Sequence, residues 1–256
     1  MSPMITLVIP TFGGNPANIQ RTIDSCKGVA DDVVIISTCP YPQDEEYLRS
    51  LGTVVSLPWN YTYLNGFGNM MNCGTDAAKN DWLLLFGVGE TLFKPHQPIH
   101  LALKNAPRDT VFRCDHVNDP HRWGRVWNRR GGTRWGGLIH EAIGRGQEGC
   151  ILFEMRDTPK ESAGTEKDAV FRHIKTTLYN AMYRRLLLHP EELSFTDPGW
   201  LNFVRGAESS ITEFCEQNSA LIDAAMKGDF EAFAVAAQSS EAKGVNFRPT
   251  GQPHGD

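Results

Sequence analysis

The stretch Asp81–Leu92, DWLLLFGVGETL, sets an unbroken apolar run directly against a Gly-Val-Gly-Glu turn. A run this short and dense reads as a buried strand that delivers its turn into a cleft. The elements before it repeat a strand–helix rhythm. MITLVIPTF reads as a first strand, and NPANIQRTIDSC as a helix with Ile19, Ile23 and Cys26 on one face. DDVVIIST is a second strand, apolar at its centre as a strand covered on both sides must be. QDEEYLRSLG is a short helix ending at glycine, TVVSLPW a third strand and GNMMNCGTDAAKN a third helix. This alternation predicts an α/β fold with a doubly wound, mostly parallel sheet. Ligands of such sheets bind beyond the carboxyl ends of the strands, here the loops at 10–14, 37–42, 59–66 and 87–90.

After residue 110 the pattern shortens. TVFRCDHV, RWGRVWN, TRWGGLIHEAI and CILFEMR read as strands between Gly-rich turns, a smaller antiparallel portion, with NRRGGT the clearest hairpin signal. A long helix follows over TEKDAVFRHIKTTLYNAMYRRLLLHP. Thr165 and Asp168 open it in a capping-box-like pattern, Phe171, Ile174, Leu178 and Met182 form its apolar stripe, and Pro190 stops it. Two or three further helices are expected over 207–238. The organisation expected is a main domain over 1–190, a helical extension over 191–238 and a loose tail over 239–256.

With 256 residues, 41% of them hydrophobic, the chain can bury a sizeable core. No apolar run approaches the roughly 20 residues that span a bilayer, and MSPMITLVIP lacks the features of a signal peptide. The six cysteines are widely spaced without a C-x-x-C pair, which argues against a zinc site or a disulfide framework. A reducing, cytoplasmic setting is expected. The net charge of −5 conceals a basic segment: residues 108–145 hold eight arginines and no lysine against three aspartates and one glutamate. Guanidinium groups match phosphate geometry, although a solvated, salt-bridged face reads equally well.

Taken in order, ITLVIPTF, ADDVVII, VVSLPW, Asn72 nine residues before DWLLLF, and RVWNRRGGTRWGGLIHE resemble the family 2 glycosyltransferases, closest to a bacterial branch whose last motif ends in His-Glu. The likeness is a series of short motifs over about residues 4–190. It implies a GT-A fold, a Rossmann-like sheet that binds a nucleotide-sugar donor, and transfer of the sugar with inversion. By position, Pro10, Thr11 and Phe12 would hold the nucleoside, and Ser37 and Thr38 stand where the family usually has an acidic residue. Asn72 keeps only the amide of an Arg-Asn pair. The Asp-x-Asp that would bind metal and diphosphate is replaced by Gly87 and Gly89, leaving Glu90. His140 and Glu141 match the His-Glu motif.

Without those aspartates, either Mn²⁺ or Mg²⁺ is held unusually, with Glu90 and His140 as the remaining ligands, or the protein is metal-independent. The glycines themselves make room for a close backbone approach, mark a dead site, or simply form a tight turn. Arg125, Arg129, Arg130 and Arg134 are candidates to offset diphosphate charge in place of a metal. Glu141, His140 and Asp115 are candidates for the base. A regular strand would put His140 and Glu141 on opposite faces. Trp123, Trp127 and Trp135 could stack on a sugar or base, but packing is the expected use of at least two of them. The acceptor is open among a saccharide, a lipid-linked glycan and a hydroxylated DNA base. Acidic overall charge and absence of lysine from the basic segment weigh against DNA. A catalytically inactive protein that binds nucleotide-sugar, or serves as a scaffold, is the alternative reading.

Overall fold

The computed structural model describes residues 2–117, 119–138, 142–143, 147–162, 164–192 and 198–241. The expected alternation is present: β1 (Ile5–Thr11), α1 (Pro16–Ser25), β2 (Asp32–Ser37), α2 (Pro42–Leu51), β3 (Thr53–Ser56), α3 (Tyr61–Ala77) and β4 (Trp82–Leu85). Its local causes are ordinary. Pro16 opens α1 at a position that needs no N–H, while the Asn15 side chain accepts from Ala17 N at 2.9 Å. Pro42 opens α2 in the same way, with Asp44 and Glu45 facing the positive end of the helix dipole.

The rest of the sheet is β5 (Glu90–Pro95), β6 (Thr110–His116), β7 (Asp119–Asn128) and β10 (Gln147–Asp157), with α4 (Ile99–Lys104) between β5 and β6. The strand order is β3-β2-β1-β4-β7-β6-β10-β5. β1, β2, β3 and β4 pair in parallel, as do β6 and β10, whereas β7 and the edge strand β5 run antiparallel to their neighbours. The fold is therefore α/β, mostly parallel with an antiparallel portion. Alternate residues of each strand enter different cores. Ile5, Leu7 and Ile9 pack with Ile19, Leu48, Ile99 and Leu103 on one face. Val8, Leu83, Leu85 and Trp127 pack on the other against α3 and α5 (Thr165–Leu188).

Three sequence expectations change. The NRRGGT hairpin is not formed: residues 129–131 make a 3-10 turn, and β7 pairs with β4 and β6, leaving β8 (Trp135–Gly136) to pair with β9 (Ala142–Ile143). The third helix starts at Tyr61 rather than near Gly68 and is kinked at Gly66, whose φ of 81° only glycine adopts readily. The kink lets another backbone approach, because a Cβ on Gly66 would sit 2.8 Å from Leu138 Cα. The N-cap of α5 also falls one residue earlier than the capping pattern at Thr165 suggests: it is Gly164, and the Asp168 carboxylate accepts from the Ser162 hydroxyl.

Of the apolar stripe expected on α5, Ile174, Leu178 and Met182 lie in the core and Phe171 is half-buried against it. The segment after it forms α6 (Pro198–Gly206), α7 (Glu208–Gln217), α8 (Ser219–Lys227) and α9 (Phe230–Glu241). These helices join the core on the α3 side, where Trp59 Nε1 donates to Gly228 O at 2.9 Å and Asn60 Nδ2 to Ala225 O at 3.0 Å. All six cysteines are free thiols. Among the described residues no helix is long and apolar enough to cross a membrane.

Candidate functional site

The chain reverses its direction of travel across the sheet at β1, which lies between β2 and β4 and parallel to both. In doubly wound sheets, ligands bind where the loops leaving the carboxyl ends of two such strands diverge. On the β4 side that loop is the bend at Gly87–Glu90. Phe86 is fully buried and continues β4, donating its N–H to Val8 O at 3.2 Å. The Glu90 carboxylate then folds back. Its Oε2 accepts from Gly87 N at 2.6 Å, and its Oε1 meets Arg125 Nη2 at 2.9 Å. The side chains of Arg125 and Glu90 keep only 13% and 20% exposure, so this ion pair is poorly screened. Arg125 also lies beside Cys114, whose thiol burial pushes up to about 12.

Gly89 is pinned at both backbone groups. Its N–H donates to Thr22 Oγ1 at 3.1 Å, and its carbonyl accepts from the N–H and the hydroxyl of Thr158, each at 2.9 Å. Its φ is 87°. A Cβ there would stand 2.7 Å from Lys160 Cε, so the lysine stem occupies the room a side chain at 89 would need. Lys160 belongs to a strap, residues 158–162, laid along α1. Asn18 exchanges two hydrogen bonds with the Glu161 backbone, at 2.8 and 2.9 Å. Arg21 donates to Pro159 O at 2.6 Å and pairs with Glu161 at 2.5 Å, and Asn15 Nδ2 donates to Ser162 O at 2.9 Å. Sequence reading did not find these residues. Thr22 and Thr158 are 67 and 69 positions from Gly89, and the Asn18–Glu161 bonds span 143.

On the β1 side, Pro10 and Thr11 end the strand and Phe12 follows them. Thr11 Oγ1 accepts from Gly13 N at 3.0 Å, Thr38 N donates to Thr11 O at 3.0 Å, and Ser37 Oγ accepts from Cys39 N at 3.2 Å. Thr11, Ser37 and Thr38 are thus adjacent, buried and engaged in closing the two loops. Phe12 stacks edge-on with Phe67 at 5.8 Å. The start of α5 roofs this end of the sheet, with Phe171 against Tyr41 at 5.8 Å and Lys167 Nζ 2.9 Å from Asp44.

The remaining sequence candidates are dispersed. Asn72 Nδ2 donates to Trp135 O at 2.9 Å and Asn72 Oδ1 accepts from Trp135 N at 3.0 Å, so its amide fastens β8 to α3. Trp135 is itself buried, edge-on to Trp127 at 5.3 Å. Arg129 and Arg130 approach Asp81 just before β4, at 4.0 and 2.6 Å, and Arg134 pairs with Asp76 near the end of α3 at 2.6 Å. That is the amino end of β4, the opposite end from the bend. Of the arginine candidates the structure brings only Arg125 to the bend. Asp115, on β6, lies 3.7 Å from His96 Nε2. His140 and Glu141 lie outside the described residues, as does the side chain of Trp123.

A divalent cation on a diphosphate needs hard oxygen ligands. At the bend the two glycines offer no side chain, and both oxygens of Glu90 are already in use. Among the described residues no group of three or more His, Cys, Asp or Glu could hold a metal. The residues described at the bend therefore do not fit Mn²⁺ or Mg²⁺.

No protein-family profile matches the chain, and no curated protein matches it in sequence. Among solved structures it is similar to residues 1–349 of TarS from S. aureus, with 11% identity over 96% of this chain and 93% of that one and a TM-score of 0.39. The same TarS fragment in complex with UDP-GlcNAc gives 10% identity over the same shares and a TM-score of 0.37. Glucosyl-3-phosphoglycerate synthase from Mycobacterium tuberculosis, in complex with Mn²⁺, UDP and phosphoglyceric acid, gives 11% identity over 72% of this chain and 78% of that one, at a TM-score of 0.41. Values this low fix no correspondence between residues.

Proposed function

We propose that the chain is a GT-A-type glycosyltransferase that binds a nucleotide-sugar beyond the carboxyl ends of β1 and β4 and transfers the sugar, with inversion, to an acceptor hydroxyl. The observation that supports this reading most is the junction itself. β1 lies between two parallel neighbours, and the loops at Thr11–Gly13 and Gly87–Glu90 flank it. The order of motifs from ITLVIPTF to RWGGLIHE agrees with it. In this reading residues 1–190 carry the transferase and 191–238 extend it.

Pro10, Thr11 and Phe12 face the nucleoside, and the glycine bend faces the diphosphate. A base takes the proton of the acceptor hydroxyl, the role proposed for Glu141, with His140 and Asp115 as the other candidates. The acceptor oxygen then bonds to the anomeric carbon from the face opposite the diphosphate. The bond between that carbon and the phosphate oxygen breaks, and its electron pair leaves with the nucleoside diphosphate. The new negative charge needs fixed positive groups beside it, and Arg125 is the arginine at the bend. Because Arg129, Arg130 and Arg134 are ion-paired at the other end of the sheet, the reading gives them no part in the reaction, and the case for a DNA acceptor weakens with them.

One observation favours the second reading, a protein that binds nucleotide-sugar without turning it over: Glu90 is committed to Gly87 and Arg125. Thermal shift against a panel of nucleotide-sugars, followed by release of nucleoside diphosphate from the best binder, separates the two. Binding with release is expected. Binding without release in the presence of hydroxyl acceptors would leave the second reading. Neither binding nor release would remove both.

A further inference from the structure

Resting on the nucleotide-sugar reading, we propose that Lys160 is the diphosphate-binding cation of the site, so that an ammonium group carried on the 158–162 strap does the work of a metal. An aspartate at 89 would carry its carboxyl carbon about 1.5 Å beyond its Cβ. Lys160 Cε lies 2.7 Å from that same Cβ position, with Cγ at 3.1 Å and Cδ at 3.5 Å, and the ammonium is one bond beyond Cε. The lysine stem thus runs through the volume that an acidic side chain at 89 would fill, and it carries the opposite charge. A site that recruits a divalent cation through carboxylates would be repelled by this ammonium, whereas a diphosphate would be attracted to it directly.

Lys160 is exposed, but the backbone that carries it is held. The backbone on both sides is tied to α1, Pro159 O by Arg21 and Glu161 by Asn18, and Thr158 holds Gly89 O by two hydrogen bonds. These ties fix the stretch of backbone from which the Lys160 side chain departs. Glu161, the one acid of the strap, is paired with Arg21. Among the described residues no hydrogen bond or ion pair occupies the Lys160 ammonium. The second positive group, Arg125, already has Glu90 within 2.9 Å and brings little net charge, so among the described residues Lys160 is the cation beside the bend that no acid pairs. Gly89 follows from the same geometry: its left-handed backbone and lack of Cβ are what allow the stem to cross it.

The test is isothermal titration of the full chain with UDP, GDP and the matching monophosphates, in EDTA and then in Mn²⁺. It is run on the wild type, Lys160→Met and Lys160→Arg. Methionine keeps a long apolar stem over Gly89 and removes only the charge, and unchanged melting temperature verifies that the fold is kept. The expected result is diphosphate binding that is equal in EDTA and Mn²⁺. Lys160→Met should weaken it about 10- to 100-fold, Lys160→Arg should largely restore it, and monophosphate binding should change little. If wild type binds a diphosphate but Lys160→Met binds it equally well, or if binding appears only with Mn²⁺, the lysine assignment is wrong and the nucleotide-sugar reading survives. If wild type binds no nucleotide, both fall.

Discussion

Asn72 and Trp135 hold each other by two hydrogen bonds, the Asn72 amide donating to Trp135 O at 2.9 Å and accepting from Trp135 N at 3.0 Å. Together with Phe67 N to Leu138 O and Gly68 N to Gly137 O, at 2.9 and 3.1 Å, they lace segment 135–138 along α3. An asparagine that the sequence assigns to nucleotide binding thus has both polar atoms occupied within the fold. Asn72→Ala should cost about 2 kcal/mol, two net hydrogen bonds' worth, and lower Tm by about 4–8 °C. Nucleotide affinity at low temperature should stay unchanged. Lost affinity with an unchanged melt would restore Asn72 to the ligand.

Aspartates placed at 87 and 89 should not create a metal site. In Gly89→Asp the new side chain meets the Lys160 stem on a backbone of φ 87°, and in Gly87→Asp it meets the Glu90 carboxylate, whose Cδ is 3.3 Å from the added Cβ. Backbone strain and the displaced lysine stem in the first, and like-charge contact in the second, should destabilise each variant by about 1–3 kcal/mol. Calorimetry with Mn²⁺ should then show no added stability. A double variant raised in Tm by Mn²⁺ would show that the bend tolerates a metal after all.

Glu90→Gln should be clearly destabilising. The amide can still accept from Gly87 N, but Arg125 is left partly buried without a counter-charge. The cost should be about 3 kcal/mol, at the low end for a broken buried pair because both partners keep some solvent contact. Arg125→Met combined with Glu90→Gln should recover part of it. Chemical denaturation of the four proteins in a double-mutant cycle measures the coupling, and strictly additive effects would contradict a working ion pair.

Alkaline pH should destabilise the protein through its buried thiols. Burial pushes Cys26 and Cys114 up to about 12 and Cys39 up to about 11, from an ordinary value of 9.0. Above pH 9 the unfolded chain therefore loses thiol protons that the folded chain retains. The stability these thiols contribute is complete below pH 9 and declines as pH rises towards 11–12. Melts between pH 7.5 and 10.5 should fall more steeply for wild type than for Cys26→Ala/Cys114→Ala. In the native protein a thiol reagent should modify the exposed Cys150 first.

The parts of this molecule that were legible in its sequence are those decided by neighbours in the chain. The strands ITLVIPT, DVVIIS and WLLL are apolar because both faces are covered. The NRRGGT turn misled because a Gly-rich turn states that the chain bends and not which strand it will meet. Here β7 found β4 and β6 instead. The start of α3 was hidden by Gly66 and Gly68, which look like helix breakers but are there to admit residues 136–138. At the site, Gly87, Gly89 and Glu90 stood out because they are contiguous. Lys160, Thr158 and Asn18 did not, since only the folded strap brings them to the bend. Arg129 and Arg134 carried the right charge, but the antiparallel course of β7 sets them at the far end of β4 from Gly87.

The most direct measurement is a crystal structure of the chain with a bound nucleoside diphosphate. The pyrophosphate is expected between the ends of β1 and β4, against Gly87–Gly89, with Lys160 Nζ at ion-pair distance and no metal between them. A nucleotide seated elsewhere, for instance in the groove of about 530 Å³ between α1 and α2 that Arg21 and Tyr47 line, or a pyrophosphate bridged by a cation with Lys160 turned away, would contradict it.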